Sequence, residues 1–191
     1  MLEELAQDIL DIGMNASAAK ANRLSVRLIE DAGADRLTIL MADNGNGMSP
    51  ELRRRVLNGF ATTKTGGTKP LGLGIAMLRQ AADLCDGRFR LYSREDVGTF
   101  VVASMRHSHI DRPPLGDIAA SITALCCSDS GMGVRFEHRC GETVFRFDST
   151  DVLNSRQRNQ GIPASSLLKI DNLLREGERA LRECCPDSVT V

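Results

Sequence analysis

The stretch DNGNGM, Asp43 to Met48, directly behind the apolar run Leu37 to Ala42, constrains the fold more than any other. A β-rich run that ends in a carboxylate and then meets Gly45 and Gly47 has to stop extending and turn sharply. Asn-Gly after such a run is the commonest hairpin signal, so a plain turn is one reading. The other is a pocket for a flat ligand. Two missing side chains let the main chain approach a planar ring, and the Asp43 carboxylate can accept a hydrogen bond from the exocyclic amine of adenine. Guanine would set a carbonyl oxygen against the same carboxylate, leaving two acceptors face to face.

On the amino-terminal side, Leu5, Ile9, Ile12 and Ala16 recur at helical spacing within residues 2 to 20, with Glu3 and Glu4 where the helix dipole favours acids. Asp8, Asp11 and Asn15 follow a neighbouring stripe, with Asp11 and Asn15 one turn apart. The stripe is either a solvated polar face or a ligand face. In the second case an amide oxygen at Asn15 can hold Mg²⁺ and the Asp11 carboxylate can orient a water. Alternation over Arg23 to Glu30 and Arg36 to Ala42, joined through Ala32-Gly33, predicts a hairpin whose second strand delivers Asp43. Ser49 as cap and Pro50 at the first helical position predict a short helix to about Leu57.

Phe60 to Leu71, FATTKTGGTKPL, has no periodicity and reads as a mobile loop. Gly72-Leu73-Gly74 then opens a helix whose expected apolar face is Leu73, Ala76, Met77, Ala81 and Leu84. A glycine-rich loop feeding a helix amino terminus offers free N–H groups and the positive end of the dipole to an anion, and Lys64 or Lys69 adds charge. A surface loop capped by glycines is the alternative. The sequence has no G-x-x-x-x-G-K-[ST]; Met77 stands where G-x-G-x-x-G needs its third glycine, and Met48 and Arg54 break an EF-hand pattern. Arg88 to Ser93 and Thr99 to Met105 alternate as two further strands.

With 191 residues, 42% hydrophobic and 26% charged, the chain suits one domain and a modest extension. The net charge of -1, and a longest basic run of only Arg53 to Arg55, give no sign of a nucleic-acid partner. No apolar stretch approaches the roughly 20 residues that span a bilayer, and the amino terminus is acidic without a cleavage site. The expectation is a cytoplasmic protein with no membrane partner. Two vicinal cysteine pairs, Cys126-Cys127 and Cys184-Cys185, with no C-x-x-C, read as reduced thiols. His107, His109 and His138 read as structural or exposed residues rather than metal ligands.

The order helix, two strands, helix, loop, helix, two strands, with D-x-G-x-G in the middle and G-x-G after the loop, resembles the GHKL superfamily. This comprises the gyrase, heat-shock chaperone, histidine kinase and mismatch-repair ATPases with the Bergerat ATP-binding fold. The resemblance covers residues 1 to 106. FATTKTGG, followed by LGLGIAMLRQAADLCDGRFRLYS and GTFVVASM, looks most like the catalytic domain of a bacterial sensor histidine kinase, and the first helix is similar to its N-box. The resemblance implies an α/β fold, an α+β two-layer sandwich with a mixed sheet covered by helices on one face. It implies ATP and Mg²⁺ as ligands, with Asn15 as the metal ligand and Asp43 as the adenine reader. By the same resemblance Gly45 and Gly47 form the pocket floor with Met48 beside them. Phe60, Thr62, Thr63 and Lys64 then belong to a lid, and Gly72, Leu73 and Gly74 contact the triphosphate.

Asp11 stands where gyrase and mismatch-repair relatives carry a water-activating glutamate and histidine kinases an asparagine, which makes it the candidate catalytic residue and a short one. Lys69-Pro70 interrupts the glycine spacing at the end of the lid. No helical hairpin with a phosphoacceptor histidine precedes this stretch in the sequence, so the expected phosphoacceptor is another molecule. The partners implied are that unidentified protein and a second copy of the chain as a homodimer. Two activities fit: transfer or hydrolysis of the γ-phosphate, or a nucleotide-gated regulatory module resembling the anti-sigma factors, with little turnover.

Residues 107 to 191 are expected to form a small α/β extension that packs on the ATP-binding domain or carries a partner surface. HSHIDRPP, 107 to 114, reads as a linker. Leu115, Ile118, Ala119, Ile122 and Leu125 mark a helix, Val134 to His138 and Thr143 to Phe147 a second hairpin. Leu167, Ile170, Leu174 and Leu181 mark a helix after Ile162-Pro163.

Overall fold

Alternation along the chain is converted into a sheet with two different faces. The computed structural model describes residues 4–58, 73–128, 131–154, 157 and 161–185. Their strands are β1 (Arg23–Asp31), β2 (Arg36–Asp43), β3 (Arg88–Arg94), β4 (Gly98–Arg106), β5 (Gly133–Cys140) and β6 (Thr143–Asp148). They form one mixed sheet of six strands in the order β3-β4-β2-β1-β5-β6, antiparallel except for β1 against β5. The helices are α1 (Leu5–Ala18), α2 (Pro50–Leu57), α3 (Leu73–Leu84), α4 (Ile118–Cys126) and α5 (Ala164–Cys184). Leu24, Val26 and Leu28 of β1, Leu37, Ile39 and Met41 of β2, and Val101, Ala103 and Met105 of β4 are buried. They share one core with Leu5, Ile9 and Ile12 of α1, Leu78 of α3, Ile122 of α4 and Ile170 of α5. The fold is therefore a two-layer α/β arrangement, helices on one face of the sheet. The intervening strand residues remain half-buried or exposed on the other face.

The expected apolar face of α3 is out of step with the one it buries. Its buried residues are Gly74, Ile75, Leu78, Ala81 and Ala82, whereas Leu73 and Leu84 of the expected apolar face are 47% and 59% exposed. Arg79, Gln80 and Asp83 share the exposed side and the buried residues lie opposite them, so the helical period itself selects this phase. Packing agrees with the period. A Cβ on Gly74 would lie 2.8 Å from Asp11 Cβ and 3.1 Å from the Asp8 carbonyl oxygen, so α3 meets α1 at the residue without a side chain. The β1–β2 turn also departs from expectation: Asp31 Oδ1 accepts from Ala34 N–H at 2.9 Å, and the left-handed residue is Asp35 (φ 48°) rather than Gly33.

The extension enlarges the same sheet, because β5 pairs in parallel with β1 from Arg23 opposite Gly133 to Glu30 opposite Cys140. It also completes α1. No side chain caps that helix at Glu4; instead Leu5 and Ala6 N–H donate to the carbonyls of Pro114 and Leu115 at 3.0 and 2.9 Å. Gly116 (φ 73°) then turns the chain, so the next helix starts only at Ile118, capped by Asp117 accepting from Ala120 N–H at 2.9 Å. α4 crosses α1 at Gly13, where a Cβ would overlap the Leu125 side chain. The cysteines form no disulfide, and burial pushes Cys126 up to about 12.

A charged chain runs through the packing between extension and sheet. His138 on β5 is 1% exposed, and its Nε2 and Nδ1 lie 2.9 Å from Glu30 Oε1 on β1 and 2.8 Å from Glu178 Oε1 on α5. Only the imidazolium offers a donor at both nitrogens. Burial opposes that charge, but the bonds to Glu178 and Glu30 outweigh it and raise His138 to about 9. Burial likewise pushes Glu30 up, while His138 and His107, whose Nε2 is 2.9 Å from Glu30 Oε2, hold the carboxyl below its ordinary value overall.

A folded-state His138 value above the unfolded one of about 6.5 gives stabilisation that is complete below that pH and lost as pH rises to about 9. Denaturant unfolding of the parent and His138→Gln should show the parent's advantage largest at or below about pH 6.5. It should shrink on the order of 2 kcal/mol by about pH 9.5. A difference that ignores pH would mean that folding leaves the proton affinity of His138 unchanged.

Candidate functional site

Asp43 ends the central strand β2, flanked in register by Leu24 of β1 and Thr99 of β4. Its Oδ1 accepts from Gly45 N–H at 2.8 Å, an Asx-type turn that fixes the carboxylate and reverses the chain. Burial pushes the Asp43 carboxyl above its ordinary value, against backbone bonds from Gly45 and Thr99 that lower it. The group is thus half-desolvated and held by N–H donors, which favours a directional hydrogen bond over a water-filled surface site.

The loop behind Asp43 is docked at every residue. Asn44 Oδ1 accepts from Asn22 and Arg23 N–H at 3.1 and 3.0 Å, and its Nδ2 donates to Asn22 Oδ1 at 2.9 Å. Asn46 N–H donates to the Ala19 carbonyl at 2.8 Å, and the Asn46 carbonyl accepts from Asp96 N–H at 2.8 Å. Gly45 and Gly47 serve these contacts. A Cβ on Gly45 would sit 2.8 Å from the Ala19 oxygen, and one on Gly47 (φ 63°) would overlap the Arg94 carbonyl of the β3–β4 hairpin. The missing side chains, expected to make room for a ligand, make room for protein contacts first. Met48 is partly buried against the core, and Ser49 caps α2 by accepting from Leu52 N–H at 3.1 Å.

α1 connects this loop to the start of α3. Ala19, just past its carboxyl end, holds Asn46, and Asp11, two turns earlier, touches Gly74. Asn15 lies between them. The polar stripe is therefore bracketed by the Asp43 loop and the α3 amino terminus. Asp11 Oδ1 accepts from Gln7 Nε2 at 2.9 Å, while the Asn15 side chain has no hydrogen-bond partner among the described residues. Phe60, Thr62, Thr63, Lys64 and Gly72 lie outside the described residues. Sequence reasoning missed Asn44, the staple of the loop, and Gly98 (φ 128°), where a Cβ would overlap the Asp43 carbonyl oxygen. The signal for Asn44 was present, since Asn is favoured at turns for its side-chain bonds to nearby main chain.

Residues 1–109 match the family described as histidine kinase-, DNA gyrase B-, and HSP90-like ATPase. The chain belongs to this family. It is 28% identical over 97 residues to the sensor histidine kinase ZraS of Salmonella typhimurium, a match over 50% of this chain and 20% of that protein. To the histidine protein kinase SaeS of Staphylococcus aureus it is 27% identical over 110 residues, covering 54% and 30%. The chain spans less than a third of the length of these relatives. Among solved structures, the Aquifex aeolicus MutL ATPase domain complexed with ADP aligns with a TM-score of 0.48 at 13% identity, over 88% of this chain and 70% of that one. Among the described residues no helix is long and apolar enough to cross a membrane.

Gly47→Ala should cost on the order of 2 kcal/mol in urea unfolding, because a left-handed φ and the overlap with Arg94 act together. A loss below about 0.5 kcal/mol would show that the β3–β4 hairpin moves away from the loop without penalty.

Proposed function

We propose that this ATPase-family protein binds Mg-ATP and either transfers its γ-phosphate to a protein acceptor or hydrolyses it. The observation that carries the reading is the bracketing of Asp11 and Asn15 on α1 between the docked Asp43 loop and the α3 amino terminus. The Asp43 carboxylate accepts from the adenine amine, and Gly45 N–H keeps it oriented. The first N–H groups of α3, which have no partner within their own helix, face the phosphates. The donor set fits the metal: the unengaged amide of Asn15 is a hard oxygen ligand of the kind Mg²⁺ takes alongside phosphate oxygens and water. When bound, Mg²⁺ supplies charge neutralisation for the phosphates, and the chain's own contribution is positioning. Asp11 orients the attacking group. Phe60, Met48, Thr62, Thr63, Lys64, Gly72, Leu73 and Gly74 contribute to nucleotide contacts. The setting is cytoplasmic signal transduction, with the chain acting on a partner as monomer or homodimer.

One observation favours a second reading. Asp11 Oδ1 is already engaged by Gln7 at 2.9 Å, so the one acid in place for activating a nucleophile is partly occupied. A nucleotide-gated module that grips a partner with little turnover accords with that bond.

Thermal unfolding with Mg-ATP, with Mg-GTP and with neither separates these ideas from no nucleotide at all. ATP at about 100 times its dissociation constant should add roughly 2.7 kcal/mol, about 5 to 10 °C at this chain length, and GTP should add little. Asp43→Asn should erase the ATP rise, because the amide presents a donor to a donor; an undiminished rise would remove Asp43 from the pocket. In the same assay Asp11→Asn should keep the rise while lowering phosphate release or transfer by about tenfold or more. Equal turnover of mutant and parent leaves Asp11 a structural residue paired with Gln7.

A further inference from the structure

The face of the sheet turned away from the helices is arginine-rich, and acids answer more of its charge on one half than on the other. On the β1–β5–β6 side, Glu137 lies 3.6 Å from Arg27 and 2.8 Å from Arg146, and Asp148 lies 2.7 Å from Arg135. On the other side, edge strand β3 sends Arg88, Arg90, Tyr92 and Arg94 to this face at alternate positions, all exposed. Arg88, Arg90 and Arg94 form no ion pair among the described residues. The residues of β4 and β2 that share the face, from Phe100 to Arg106 and from Arg36 to Ala42 at alternate positions, include no acid; Arg106 at its far end is paired with Asp35 and Asp86 at 3.0 and 3.7 Å. Tyr92 stands opposite Phe100, the rings stacked with centroids 6.3 Å apart and planes 25° apart, and they are 50% and 39% exposed.

We infer that this half of the open face binds single-stranded nucleic acid. Planar aromatic rings left uncovered on a sheet are a stacking platform for bases of any sequence. Arg88 and Arg90, two residues or roughly 6.6 Å apart along the strand, and Arg94 beyond Tyr92 are forks shaped for phosphates on either side of the rings. An acidic peptide would answer the charge but not the exposed ring pair. A second copy of the chain would set like arginine rows against each other. The near-neutral net charge and the lack of a basic run conceal the face, because strand alternation assembles it from residues separated in sequence.

The test is fluorescence anisotropy of labelled oligo(dT) and oligo(U), each of about 12 nucleotides, titrated with the full chain at low salt. Binding should weaken as salt rises. Arg88→Ala and Arg90→Ala should each reduce the slope of log K against log salt by about 0.7, and Tyr92→Ala should weaken binding about fivefold or more with that slope unchanged. Arg146→Ala, on the balanced half, should change affinity less than Arg90→Ala. Each variant lies on the surface, and an unchanged thermal midpoint certifies its fold. A preference between the two oligonucleotides assigns DNA or RNA. Three results overturn the inference: no binding at low salt, binding abolished by excess Mg-ATP, which would place the oligonucleotide in the nucleotide site, or equal capture of polyglutamate with no response to Tyr92→Ala, which would mark an acidic protein surface.

Discussion

Helix α1 is held by main-chain bonds that it cannot make for itself. Its first N–H groups end on the carbonyls of Pro114 and Leu115, and the carbonyl of Ala19, just past its carboxyl end, accepts from Asn46. Between these ends, two glycine contacts, Gly13 against Leu125 and Gly74 against Asp11, set how closely α4 and α3 approach it. A helix of this length is marginal alone in water, so its position is a property of its neighbours. The Asp43 loop, the polar stripe and the start of α3 are all referred to that one cylinder. Displacing α1 would move each of them.

The charged chain of Glu30, His138 and Glu178 has a different role from the apolar core around it. Burying ions costs several kcal/mol each, and their attraction roughly repays that cost, so the net stabilisation is modest. Removing His138 leaves two buried carboxylates without the cation between them. The parallel pair β1–β5 is otherwise lined by apolar residues, Leu24 opposite Val134 and Val26 opposite Phe136. A slip by one residue would turn His138 away from both carboxylates. The ions therefore add a directional constraint on register to the apolar packing around them.

The elements were legible in the sequence wherever the cause was local. The amphipathic stripe Leu5, Ile9, Ile12 and Ala16, the Ser49-Pro50 helix start and the alternation of each strand gave the right elements in the right order, because side-chain period and capping chemistry act over a few residues. The phase of α3 was legible but misread: Arg79, Gln80 and Asp83 mark its exposed side, and Gly74 closes on α1 from the other. The joining of the second hairpin to β1 was not legible, being a parallel pairing between residues over 100 apart in sequence, as with Arg23 and Gly133. At the candidate site, Asp43 and its glycines stood out by residue type. Their docking on Ala19 and Arg94 did not, because it depends on two other elements arriving at the same place. His138 looked like an ordinary strand residue until Glu30 and Glu178 were brought to either side of it.

The strap that caps α1 lies beyond the stretch shared with the ATPase family. The family match stops at residue 109, while the carbonyls that finish the first helix belong to Pro114 and Leu115. Homology and hydrogen bonding thus draw different borders around the same unit. A cut at the homology boundary would leave two N–H groups of α1 without their acceptors, so a fragment meant to keep its first helix intact has to carry the next few residues as well.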